Sequence, residues 1–255
     1  MLIINVILAL MIVVSFLVAI ALHECSHALT ASLLGDSSPR SEGRQSLSLR
    51  SHLDALGTIL CFILAFSPAL GPTGIFLPSV IGPVGIGWGK PVKTDPWKLR
   101  GGPNGGTLIV ALAGPIFSLA IGLLCAFLLR FLLVTFFTDR LLVYLPQLLA
   151  VFASVNISLA LFNIIPLYPL DGYQIVYTLL PTRQAVQFAK SAPYGPFIIL
   201  AIFFLLPFLA QFTGLGGLFI FQIPSTILSG ALALIALVTG QPLVDIASLY
   251  FHPLR

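Results

Sequence analysis

Two histidines and a glutamate stand in the stretch His23-Glu24-Cys25-Ser26-His27. No other charged residue occurs between Met1 and Gly35. On a helix, positions i and i+4 share a face, so His23 and His27 present ring nitrogens to one point. The spacing H-E-x-x-H is that of a zinc hydrolase. Such nitrogens bind zinc at about 2.0–2.1 Å, and zinc lowers the pKa of bound water toward about 7. Glu24 lies about 100° round the helix from His23. It is placed to take a proton from that water and deliver it to a leaving amine.

The competing reading is a pair of core histidines bonded to neighbouring helices. Composition argues against it. The chain has 4 His in 255 residues, and its glutamates are Glu24 and Glu42. Random placement would produce the pattern on the order of once in 2,000 such chains. A glutamate in hydrocarbon also costs about 3 kcal/mol unless it has a role. Cys25 falls one residue off the shared face and reads as a small buried hydrophobe. With Cys61 and Cys125 it makes an odd, scattered set in apolar runs, not a disulfide framework.

Two histidines leave zinc one protein ligand short, since catalytic sites usually have three and a water. After His27 the chain reads Ala-Leu-Thr-Ala-Ser-Leu-Leu-Gly, with no further histidine. One acid adjoins a long apolar run in an unusual setting, Asn163-Ile-Ile-Pro166-Leu-Tyr-Pro169-Leu170-Asp171-Gly172. The prolines break the helix end, which can turn the Asp171 side chain inward. Asp171 could equally cap the helix that follows, and Asp-Gly suits a turn.

The elements that must hold these residues are membrane helices. The chain is 58% hydrophobic and 8% charged, against about 25% charged in soluble domains. Uncharged runs at residues 1–23, 55–89, 101–129, 141–170 and 191–244 mark the spans, the last long enough for two with a turn at Gly214, Gly216 and Gly217. In the second run, Leu56–Leu70 could cross, and the half with Pro72, Pro78 and Pro83 reads as broken or re-entrant. Ala19-Ile20-Ala21 resembles a signal cleavage site, but the basic region before it is missing, so the first helix is expected to be retained. The expectation is an all-α polytopic membrane protein of about six transmembrane helices. It adds a Gly/Pro-rich broken segment and a short β-hairpin, because Arg44–Arg50 alternate polar and apolar residues. The whole chain, 1–255, reads as one integral membrane domain, with a core at 1–180 and accessory helices at 191–245.

Orientation follows the basic residues. With the N-terminus outside and the C-terminus cytoplasmic, ten of the 12 Lys and Arg face the cytoplasm and only Arg130 and Arg140 lie outside. That places the chain in a bacterial inner membrane or an organelle equivalent. It also brings the end of the first span and Asp171 to the same side. The basic residues serve topology on a lipid surface and suggest no nucleic acid.

H-E-x-x-H in one span and N-x-x-P-x-x-P-L-D-G ending a later one resemble the site-2 proteases, intramembrane zinc metalloproteases. The likeness covers roughly residues 15–215. It includes Gly43-Arg44, the run from His52 to Thr58, Gly87-Trp88-Gly89-Lys90-Pro91-Val92 and Ala113-Gly114-Pro115, as in the compact branch without appended domains. It implies one zinc ion per chain on His23, His27 and Asp171, with Glu24 as catalytic base. It implies Asn163 near the scissile carbonyl; physically, Asn163 could donate to an oxyanion or bond between helices. Ser118 stands where an asparagine often follows Ala-Gly-Pro, and Cys25-Ser26 replace more usual residues.

The expected function is therefore hydrolysis of peptide bonds within or near transmembrane segments of membrane proteins. The alternative is a metal or proton transporter with a buried His/Glu/Asp path, which would tolerate other residues at Glu24. The expected partners are a transmembrane protein substrate and the lipid bilayer; a homo-oligomer is compatible with the sequence. An edge strand at Arg44–Arg50 could pair with an unwound substrate. His52 and Asp54 read as structural, and His252 has no assignment.

Overall fold

The computed structural model describes residues 2–66, 84–135, 144–213 and 217–251. The Pro72, Pro78 and Pro83 segment, most of the expected Gly214–Gly217 turn, Arg140, His252 and Arg255 lie outside the described residues.

Apolar, uncharged sequence makes long helices because only a helix satisfies its own backbone in hydrocarbon. Helix α1 runs Leu2–Leu33, α5 Gly102–Thr135 and α6 Tyr144–Asn163; these three pack against one another and form the centre of the molecule. Between α1 and α5 come α2 (Ser38–Ser41), α3 (Leu49–His52) and α4 (Ala55–Phe66). After α6 come α7 (Asp171–Leu179), α8 (Thr182–Ala189), α9 (Gly195–Leu200), a π-helical turn at Ala201–Leu205 and α10 (Leu206–Thr213). Helices α11 (Ile223–Thr239) and α12 (Leu243–Phe251) close the chain. The core is carried by Ile12, Phe16, Ile20, Leu64, Leu129 and Phe162, all fully buried.

Four helical runs are long and apolar enough to cross a membrane among the described residues: Val6–Leu33, Gly102–Leu133, Tyr144–Asn163 and Thr182–Ala210. A fifth results if α11 and α12 form one span, broken by a 116° bend at Gly240, whose φ of +73° lets the chain turn. The described residues do not confirm the expected six. Among the described residues, helix α4 is a short apolar helix of 12 residues, and it ends where the described residues end.

The expected β-hairpin is corrected. Residues 44–50 form turns and an irregular stretch leading into α3, and the described residues contain no strand. Side-chain alternation was a poor guide because Arg44 points inward. It is buried and donates to the carbonyls of Ser51, Lys90 and Pro91. One isolated antiparallel bridge, Leu53 to Gly89, is what pairs there.

An irregular segment, residues 84–92, threads into the bundle with Val84, Ile86 and Trp88 buried. Gly85 lies against Val155 and Ile12, and Gly87 against Phe16 and the Gly57 carbonyl, where no side chain fits. Its continuation is tied to the end of α1. The Asp95 amide donates to the buried Asp36 carboxylate at 2.7 Å, and the Arg100 amide to the Leu34 carbonyl at 2.7 Å. Burial alone would push the Asp36 carboxyl up; hydrogen bonds from Ser38 and Asp95 and the charge of Lys98 hold it below its ordinary value.

Candidate metal centre

Helix α1 brings His23 and His27 to one side, with ring centroids 4.9 Å apart. Asp171 arrives from the first turn of α7. It does not cap that helix: the N-cap is Leu170, without a side-chain cap. The segment between α6 and α7, which contains a cis Tyr168–Pro169 peptide, folds back tightly enough that a side chain at Gly172 would strike the Ile164 carbonyl. The Asp171 carboxylate thereby faces both imidazoles. Its Oδ2 lies 2.9 Å from His23 Nε2 and its Oδ1 3.2 Å from His27 Nε2. The two Nε2 atoms are 3.2 Å apart.

The far side of each ring is anchored. His27 Nδ1 donates to the Val110 carbonyl at 2.6 Å, and His23 Nδ1 pairs with Ser118 Oγ at 2.9 Å. A carbonyl can only accept, so the His27 proton sits on Nδ1 and neutral His27 offers a lone pair at Nε2. Such an outer bond fixes tautomer and ring orientation in metal-binding histidines. Ser118, where the resemblance expects asparagine, supplies this bond to His23. Helix α5 comes close because residue 114 is glycine; a methyl group there would overlap the Nε2 atoms of both rings. Asp171 lies outside the long spans. Burial would push its carboxyl up, but the facing His27 and His23 outweigh that and hold it below the usual carboxylate range.

These three residues form a group that could hold a metal ion. Two lone-pair nitrogens and a carboxylate crowd one point, an arrangement that repels itself unless a cation or proton lies between. Nitrogen and oxygen donors suit zinc. A tetrahedron with bonds of about 2.0–2.1 Å has edges of about 3.3–3.4 Å, close to the spacings seen. The residues present fit zinc.

Glu24 is buried beside the group. Its carboxyl rests against Gly89, where a methyl group would overlap it. Glu24, His27 and Asp171 border a cavity of about 300 Å³, walled by Trp88 and Pro91 on one side and Tyr168 on another. Asn163 also lines it; one amide N–H donates to the Leu159 carbonyl at 2.9 Å within α6, and the second is not committed by that bond. Asn156 bonds back to the Phe152 carbonyl.

The other sequence candidates lie elsewhere. Asp54 accepts from the Gly57 amide at the start of α4, and His52 donates to the Ser46 carbonyl. Cys25 is buried and lies 3.4 Å from the Gln45 carbonyl, away from the metal group. Sequence reasoning missed the Val110 carbonyl, Gly89 and Arg44. Of these, Gly89 and Arg44 carried a signal through the resemblance, in the Gly-Trp-Gly-Lys-Pro run and in Gly43-Arg44, and the Val110 carbonyl carried none.

Among curated proteins, one from Bacillus subtilis (strain 168), named "Putative zinc metalloprotease YwhC", is 29% identical over 202 residues. The match covers 76% of this chain and 80% of the relative. The chain is a relative of a named zinc metalloprotease. That kinship supports a metalloprotease role with zinc as the metal, and it agrees with the site-2 resemblance. No family model matches the chain, and no solved structure matches it.

Proposed function

We propose that this protein is an intramembrane zinc endopeptidase of the site-2 type, cutting transmembrane proteins within or near their spans. The observation that carries the reading is the meeting of His23 and His27, inside an apolar helix, with Asp171 from a separate helix, beside a cavity that Glu24, His27 and Asp171 border. His23, His27 and Asp171 would hold the metal. When bound, zinc supplies Lewis acidity toward water and the scissile carbonyl.

The chain's own residues do the rest. Glu24 takes the proton of the attacking water and passes it to the leaving amine. Asn163 offers its uncommitted N–H to the oxygen on which negative charge develops. Trp88, Pro91 and Tyr168 give the cavity apolar walls that suit a peptide drawn from a lipid-embedded helix. Such a helix must unwind first, since its peptide bonds are internally paired. With the N-terminus outside, this cavity opens toward the cytoplasmic side, where the basic loops gather.

A metal or proton path would have to continue across the bundle. The next turns of α1 bury Ile20, Phe16 and Ile12 completely, which favours a dead-ended site over a conduit. The test compares native and Glu24→Gln protein in membranes. Transmembrane fragments that vanish in Glu24→Gln identify activity and substrates together. Unchanged fragments with altered metal flux would transfer the protein to the transporter class.

A further inference from the structure

The wall beside Glu24 is placed by a residue that does not touch the metal group. We propose that Arg44 is a positioning residue: its buried guanidinium sets the Gly89–Pro91 backbone against Glu24 and so fixes where the base's carboxyl stands. The inference rests on Glu24 being the base.

Arg44 is 4% exposed. Its Nη1 donates to the carbonyls of Ser51 and Lys90, the latter at 3.2 Å, and its Nη2 to that of Pro91 at 3.1 Å. Glu42 is 3.9 Å from Nε and half exposed, so it is a minor partner. A guanidinium out of water is tolerated only where its N–H groups find acceptors, and here the acceptors are the loop before α4 and the cavity wall. The same place is sewn by the Lys90 amide to the His52 carbonyl at 2.7 Å and by the Leu53–Gly89 bridge. On its other face the wall meets Glu24 directly, with Gly89 pressed on the carboxyl. A shift of residues 89–91 would move the surface on which the Glu24 carboxyl rests. A lysine would bring the charge but not the planar fork that spans separate carbonyls.

The test uses the full chain in detergent with Trp97→Phe, so that Trp88 becomes its single tryptophan. Arg44→Lys and Arg44→Ala are compared with Arg44 in that background for zinc content, kcat and KM on a transmembrane substrate, and Trp88 emission. Arg44→Lys should retain zinc, lose about tenfold in kcat with little change in KM, and shift Trp88 emission to longer wavelength. Arg44→Ala should move both further in the same direction. Native kcat or unmoved Trp88 emission in Arg44→Lys overturns the inference. So does loss of zinc from Arg44→Lys, which would make Arg44 a support of the whole bundle. If the protein with Arg44 intact cleaves nothing while Trp88 responds as expected, the proteolytic reading fails and the placement of the wall by Arg44 stands.

Discussion

Under the proposed function, the site has two halves built in different ways. The metal-facing half is made by long helices: His23 and His27 project from α1, and Gly114, Val110 and Ser118 of α5 back them. The base-facing half is made by an irregular segment held from behind by Arg44, with Gly89 against Glu24. Rigid elements give precise ligand geometry. The loop-built wall is held by hydrogen bonds from Arg44 and to His52 rather than by helix geometry, so it can be altered without touching the metal group.

Two glycines separate the halves most sharply. In Gly114→Ala the new methyl overlaps both ring nitrogens. Zinc affinity should fall more than about a hundredfold, as read by metal analysis after chelator titration, and activity should vanish with it. In Gly89→Ala the methyl's nearest neighbours are the Glu24 carboxyl and its Cγ. Zinc should stay bound while cleavage falls about a hundredfold from displaced geometry. Metal loss from Gly89→Ala would show that the halves are not independent.

Smaller effects refine the comparison. Ser118→Ala removes the bond that orients His23 and should weaken zinc binding about tenfold, with near-native cleavage at saturating zinc. The smallest effect concerns the loop behind the wall. Burial pushes the His52 imidazole below its ordinary value of 6.5, and its Nδ1 has no partner among the described residues. Below about pH 6.5 the opened loop binds a proton that the closed loop resists, so closure is strongest above that pH and weakens as pH falls. Hydrogen exchange of residues 44–53 should speed up between pH 7 and pH 5, beyond the intrinsic pH effect, and His52→Gln should abolish the excess.

The grouping of His23, His27 and Asp171 was legible in the sequence because its signals are local or rare. The i, i+4 histidines reveal themselves in five residues, and Asp171 is conspicuous as an acid at the end of an uncharged run. The base-facing half was not. Arg44 sits in a polar–apolar alternation that reads as a strand, while its acceptors at Lys90 and Pro91 lie 46 and 47 residues away. Backbone carbonyls such as that of Val110 leave no residue-type signature.

The central claim is that His23, His27 and Asp171 hold one zinc ion. X-ray absorption at the zinc edge of the purified protein tests it most directly. The expected result is one zinc per chain with nitrogen and oxygen neighbours at about 2.0–2.1 Å and no sulfur near 2.3 Å, with the spectrum altered in Asp171→Ala. A sulfur neighbour, which would bring in Cys25, or an identical spectrum in Asp171→Ala, would contradict it.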